Sequence, residues 1–151
     1  MLIREASNKD SPLIKQLVFG VLNEYGLQPS PQSTDKDLDD IEQHYFSRGG
    51  YFGVAEENGQ IIASFGLYKI THTTCELRKM YSLANQRGKG LGKQLMHYSL
   101  KKAKELGFSH VILETAAPLV EAIGLYKKFG FQKYKPEHLS SRCDQAFELW
   151  L

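Results

Sequence analysis

Three glycines occupy alternate positions where a helix is about to begin: Gly88, Gly90 and Gly92. They separate a predicted strand over 75–83 from the longest predicted helix, over about 90–106. Glycine normally weakens a helix, so this placement needs a physical reason. The first N–H groups of a helix lack partners and carry partial positive charge, and glycine lets an anion approach them closely. The segment therefore predicts a cradle for a pyrophosphate group, with a flexible basic loop as the plainer alternative.

The charge of this segment suits an anion, but its spacing excludes two common phosphate-binding motifs. Three cations lie in it: Arg87, Lys89 and Lys93. A P-loop needs G-x-x-x-x-G-K-[ST], whereas only three residues separate Gly88 from Gly92 and Gln94 follows the lysine. The G-x-G-x-x-G pattern of dinucleotide-binding folds fails as well, because its last position falls on lysine or leucine. The pattern that fits is R-x-x-G-x-G, over 87–92.

Hydrophobic patterning divides the chain into short strands and helices. The predicted strands cover 2–6, 51–56, 60–70, 75–83, 110–115, 131–134 and 146–151. The predicted helices cover about 10–25, 36–48 and 90–106, and a last helix begins near Pro118 and ends at Gly130. The order β-α-α-β-β-β-α-β-α-β-β predicts an α/β (α+β) fold, a mixed sheet with helices packed on it, in one domain over 1–151.

Composition limits the classes of function that are expected. The chain has 151 residues, and 19 Lys and Arg against 17 Asp and Glu leave a net charge of +2, too small for charge-driven nucleic-acid binding. No apolar run reaches the roughly 18 residues of a membrane span, and the charged N-terminus lacks a secretory signal. The two cysteines, Cys75 and Cys143, belong to no metal-binding or disulfide pattern. We therefore expect a cytoplasmic protein with no nucleic-acid partner, no membrane contact and no metal.

Three segments in sequence order resemble the GNAT superfamily of acetyl-CoA-dependent N-acetyltransferases: "ELRKMYSL", the R-x-x-G-x-G loop and "EAIGLYKKFGF". They span about 76–131, and the order of elements agrees along nearly the whole chain. The resemblance implies a mostly antiparallel sheet of six to seven strands flanked by about four helices. It also implies that two adjacent parallel strands, 75–83 and 110–115, splay apart and admit the pantetheine arm of the coenzyme.

The resemblance assigns acetyl-CoA, as co-substrate, to particular residues. Its pyrophosphate is expected on the loop and the first helical turn: Arg87, Gly88, Lys89, Gly90, Leu91, Gly92 and Lys93. Its pantetheine arm and thioester carbonyl are expected against the backbone of the preceding strand: Met80, Tyr81 and Ser82. The sequence departs from the family at Leu119, where many members carry an asparagine that contacts the coenzyme.

Acetyl transfer to an amine needs a base for the amine and a proton donor for the leaving thiolate. Tyr126 matches the family tyrosine that often faces the coenzyme sulfur, and a phenol can donate that proton. Glu76 and Glu114 match two positions at which family members place a catalytic glutamate, and the sequence does not rank them. The plainer alternatives are a packing role for the tyrosine and solvated strand positions for the glutamates.

These residues predict an N-acetyltransferase that moves acetyl from acetyl-CoA directly to a primary amine of a small molecule or peptide, through a ternary complex. A catalytically silent acyl-CoA-binding sensor is the alternative. The acceptor stays open among a peptide N-terminus, a lysine, a polyamine, an aminoglycoside and a free amino acid. The resemblance implies that the acceptor site is shaped by the first two helices, by their connection over 26–35 and by the loop over 135–144 between the last two strands.

Two further features give weaker indications. One is an acidic cluster that could attract an amine but is more often a solvated helix face: Asp35, Asp37, Asp39, Asp40 and Glu42. The other is the final strand, "AFELWL", a candidate sheet edge that could pair with a second copy. A homodimer is therefore one expected assembly.

Overall fold

Seven strands and four helices follow one another in the computed structural model, which describes all residues from 1 to 151. The strands are β1 (Leu2–Glu5), β2 (Tyr51–Glu57), β3 (Gln60–Lys69), β4 (Thr74–Ser82), β5 (His110–Thr115), β6 (Gln132–Tyr134) and β7 (Gln145–Trp150). The helices are α1 (Ser11–Glu24), α2 (Ile41–His44), α3 (Leu91–Glu105) and α4 (Val120–Lys128). This order of elements agrees with the one predicted from the sequence.

One sheet contains all seven strands, in the order β1-β2-β3-β4-β5-β7-β6. Every neighbouring pair is antiparallel except β4 and β5, which are parallel. Apolar residues of α1 and α2 pack on one face, and those of α3 and α4 pack on the other, so two hydrophobic cores enclose the sheet. The predicted mixed, mostly antiparallel fold is confirmed.

Local sequence signals account for the turn between β2 and β3 and for the point at which α3 begins. The β2–β3 hairpin turns through Asn58 and Gly59, whose positive φ angles of 52° and 77° are those that a tight two-residue hairpin turn requires. Helix α3 is preceded by Gly90, with a φ of 84°, and its buried residues recur at helical spacing. They are Leu91, Leu95, Met96, Ser99 and Ala103.

The sheet opens between its two parallel strands. β4 and β5 pair only from Thr74 opposite His110 to Glu76 opposite Ile112, and the rest of each strand has no partner in the other. Further along β4, the register against β3 shifts between Ser64 and Gly66, and Lys79 takes a φ of 57°. This β-bulge turns the end of β4 away from β5, which leaves a gap through the middle of the sheet.

The predicted continuous helix over 36–48 is wrong. A 3-10 turn covers Lys36–Asp39, α2 is a single turn, and a second 3-10 turn covers Phe46–Arg48. The chain breaks at Asp40, which has a φ of −146° and whose side chain accepts a hydrogen bond from the Gln43 N–H. Asp37 and Leu38, both in the first 3-10 turn, are buried.

The prediction that the last strand is a sheet edge is also wrong. Strand β7 lies between β5 and β6, so "AFELWL" is not an edge, and the reason given for a homodimer does not hold. Strand β5 buries Val111, Leu113 and Thr115, and the residues between them, which lie on the opposite face of the sheet, are only partly buried. None of the four helices has the length and hydrophobicity that a membrane-spanning helix needs.

Candidate functional site

Two cavities meet at the gap between β4 and β5. The larger, of about 450 Å³, lies between the strands and the loops 26–35 and 135–144. The smaller, of about 230 Å³, extends from the gap to the start of α3. Five residues line both: Met80, Tyr81, Leu119, Ala122 and Tyr126. The two cavities therefore form one passage through the sheet, and these shared residues mark its middle.

The start of α3 has the backbone expected of an anion site. None of the N–H groups of residues 88–93 donates a hydrogen bond within the protein. Gly88 and Gly90 have φ angles of 77° and 84°, and a Cβ placed on either would have no neighbour within 4 Å. Unused amides beside open space are what a phosphate group needs, so these residues fit the pyrophosphate of a coenzyme A.

The three cations of this loop differ in their freedom. Arg87 is held by Glu24, with one N···O distance of 3.1 Å, and donates to the Ser82 carbonyl oxygen at 2.7 Å. Its Cζ lies 5.1 Å from the centre of the Tyr25 ring, and both side chains line the smaller cavity. Lys89 and Lys93 are exposed and have no ion pair within the protein. The sequence places all three on the loop alike, whereas the structure leaves only the lysines unpaired.

The predicted pantetheine segment lies along the gap. Tyr81 and Ser82 pair with β3 on one side, and their other side has no strand partner because β5 has turned away. Met80 and Tyr81 line both cavities, whereas Ser82 lines the smaller one. Leu119, the position at which an asparagine was expected, lies across the gap and contributes only apolar surface.

Tyr126 projects from α4 to the point where the cavities join. It is 7% exposed and makes no hydrogen bond within the protein, although its ring packs near Phe131 and Phe147. Burial raises the pKa of its phenol above the usual value, so the hydroxyl stays protonated at neutral pH. The side chain can therefore donate a proton into the passage.

Both candidate glutamates line the larger cavity. Glu76, on β4, accepts a hydrogen bond from Nε of Arg78. Glu114, on β5, accepts one from the Ser140 N–H at 2.9 Å. The structure thus brings both carboxylates and Tyr126 to one cavity, from three different elements.

A buried ionic network forms the outer wall of this cavity. Asp35, which has no exposed surface, accepts two hydrogen bonds of 2.7 Å from Arg142 and lies 3.2 Å from Nζ of Lys79. Asp37 lies 3.4 Å from the same Nζ and accepts a hydrogen bond from the Tyr45 hydroxyl. The network ties the loops 26–35 and 135–144 to the bulge in β4.

This network was missed at the sequence level. The sequence favours a solvated helix face for the acidic cluster, but Asp35 and Asp37 are buried. One local signal was available. Arg78 and Lys79 are adjacent charged residues that break the alternation of β4, as a bulged strand does.

No group of three or more His, Cys, Asp or Glu side chains is placed to hold a metal ion.

Comparisons with known proteins agree with this architecture. The sequence matches the acetyltransferase (GNAT) family over residues 19–131. The uncharacterized N-acetyltransferase YjgM of Escherichia coli is 38% identical over 136 residues, which cover 87% of this chain and 81% of that protein. A GNAT-family acetyltransferase from Staphylococcus aureus superposes with a TM-score of 0.91 at 22% identity, over 97% of this chain and 96% of the other. A predicted acetyltransferase from Clostridium acetobutylicum, solved with acetyl-CoA, has a TM-score of 0.74 at 25% identity, over 92% and 94%.

Proposed function

Because this chain belongs to the GNAT family of acetyltransferases, we propose that it moves the acetyl group of acetyl-CoA directly to a primary amine of a small molecule or peptide. The passage through the sheet is the observation that carries this proposal. It has unpaired amides at one end, carboxylates at the other and a protonated phenol between them. Acetyl-CoA in the Clostridium relative supports the same co-substrate here.

The proposed reaction needs no covalent enzyme intermediate. The amine nitrogen attacks the thioester carbonyl carbon, the C–N bond forms, the C–S bond breaks, and the sulfur leaves as a thiolate. The amine gives up a proton to a base, directly or through water, and the thiolate takes one from a donor. Glu76 and Glu114 are both proposed as that base, and the backbone of Met80 and Tyr81 is proposed to face the thioester carbonyl.

Release of thiol from acetyl-CoA tests the proposed function directly. We expect the purified protein to liberate free thiol faster with a panel of primary amines than without them, and mass spectrometry to find the acetylated amine. Calorimetry with CoA measures binding on the same samples. CoA binding without amine-dependent thiol release across amino acids, peptides, polyamines and aminoglycosides would contradict the proposal and favour a silent sensor.

The variant Tyr126→Phe is expected to lower kcat about ten- to a hundredfold. A thiol such as that of cysteine has a pKa of about 8.5, so a thiolate is already a good leaving group. The donor is therefore expected to contribute no more than the lower end of the roughly 10²–10⁴-fold typical of general acid–base catalysis. The Kd for CoA is expected to change little, because the Tyr126 hydroxyl makes no hydrogen bond within the protein and its removal leaves the lining of the cavity in place. The matched control is Tyr98→Phe, which removes a hydroxyl that lies 3.3 Å from that of Tyr51, outside both cavities. Equal kcat values in the two variants would contradict the proposed role of Tyr126 as proton donor to the thiolate.

A further inference from the structure

Three cationic side chains line the larger cavity: Arg78, Lys79 and Arg142. The terminal nitrogens of two of them are already occupied, since Nζ of Lys79 and both terminal nitrogens of Arg142 lie against the buried Asp35, whereas Arg78 pairs with Glu76 through Nε alone. The two terminal nitrogens of Arg78 have no acceptor within the protein. One guanidinium with unused donors therefore faces this cavity.

The orientation of this guanidinium is fixed. Its Cζ lies 3.7 Å from the centre of the Tyr68 ring, and its Nε is held by Glu76. A guanidinium donates in its own plane, so the ring that covers one flat side leaves the terminal N–H groups available. The side chain is 29% exposed, which leaves it open to the cavity. Two parallel donors held in this way match the two oxygens of a carboxylate.

The surroundings favour a small, zwitterionic ligand. The hydroxyls of Ser33 and Thr34 line the same cavity and make no hydrogen bond within the protein. Glu76 and Glu114 supply negative charge for an amine in the same space. The volume of about 450 Å³ suits a small molecule. Charges of both signs within one cavity fit a ligand that carries both an amine and a carboxylate.

We infer that the acceptor is a small amino acid whose carboxylate binds the terminal nitrogens of Arg78 while its amine faces the two glutamates. This inference rests on the proposed acetyl transfer and names the substrate class of that site. Arg78 determines specificity and takes no part in the proton transfers.

Matched pairs of acceptors test the inference. Each pair consists of an amino acid and the amine that remains when its carboxylate is removed, such as phenylalanine with phenethylamine and leucine with isoamylamine. In the wild type, kcat/KM is expected to favour the amino acid at least about tenfold in one or more pairs. In Arg78→Met this ratio is expected to fall by about ten- to a hundredfold. Any effect of the variant on Glu76 acts on both members of a pair and cancels in the ratio.

The control is Arg48→Met. Arg48 stacks on the same Tyr68 ring, with Cζ 4.5 Å from its centre, but does not line the cavity, so the ratio is expected to stay at the wild-type value. If Arg78→Met does not fold, Arg78→Lys keeps the charge without the paired donors and is expected to lose part of the preference. A ratio near one in the wild type, with thiol released, overturns the inference and leaves acetyl transfer standing. Persistence of the preference in Arg78→Met also overturns it. Absence of thiol release with every amine overturns both.

Discussion

Replacement of Asp35 by asparagine is expected to lower the free energy of unfolding by about 3–5 kcal/mol. Asp35 has no exposed surface and is the shared partner of Lys79 and Arg142. Asparagine keeps the size of the side chain but removes its charge, so Arg142 loses its counter-ion and Lys79 keeps only Asp37, at 3.4 Å, while both cations remain largely out of water. Urea unfolding followed by circular dichroism measures the change.

The control for this variant is Asp39→Asn, four residues along the same acidic cluster. Asp39 pairs with Lys15 and its side chain is 48% exposed, so its loss is expected to cost less than about 1 kcal/mol. Similar losses in both variants would show that the buried network contributes no more than a surface pair. That result would contradict the stabilising role given to Asp35.

The pH dependence of stability provides a second measurement on the same two proteins. Burial alone would raise the pKa of Asp35, but hydrogen bonds from Arg142 and the Ser30 N–H, with the charge of Lys79, lower it below its ordinary value. Its contribution is therefore present above the unfolded pKa of about 3.9 and is lost as the pH falls through the folded value. The wild type and Asp35→Asn are expected to converge in stability as the pH falls below about 4.

Features that depend on a short stretch of sequence could be predicted. Asn58-Gly59 specifies its hairpin through the φ angles that these two residues tolerate, and Gly90 marks the start of α3 for the same reason. Of the three predicted catalytic residues, Glu76 and Glu114 lie on strands and Tyr126 lies on a helix. The hydrophobic pattern indicates the order of these three elements. Their meeting at one cavity follows from that order once the sheet is known.

Features that depend on distant partners could not be predicted. Nothing near Asp35 in the sequence indicates that Lys79 and Arg142 will reach it, because 44 and 107 positions separate the partners. When those distant partners are not known, a run of acidic residues indicates a solvent-exposed helix. The chain breaks at Asp40, and a 3-10 turn, a single α-helical turn and a second 3-10 turn replace the predicted helix.

Replacement of Gly90 by valine is expected to weaken CoA binding more than about a hundredfold, which is roughly 3 kcal/mol. Gly90 has a φ of 84°, a conformation that a β-branched residue adopts only at considerable cost. The backbone around it is expected to shift, and the unpaired N–H groups of residues 88–93 are expected to lose their common direction. Calorimetry with CoA measures the change in Kd.

Gly107→Val is the matched control, because it lies just after the other end of α3. Gly107 has a φ of 94° and, like Gly90, no atom within 4 Å of a built Cβ. Both substitutions therefore impose a similar backbone strain of about 1–3 kcal/mol, and both are expected to lower the melting temperature. Only Gly90→Val is expected to lose CoA affinity, since Gly107 lies at the opposite end of α3 from the unpaired N–H groups of residues 88–93.

The comparison separates two reasons for a glycine at a helix terminus. If glycine serves only to let the chain turn, the two variants lose stability alike and bind CoA alike, and the anion site assigned to this loop is contradicted. If its amides also bind the diphosphate, loss of affinity follows Gly90 alone. The absence of any acceptor for six consecutive N–H groups favours the second result, since such groups need a partner in the bound state.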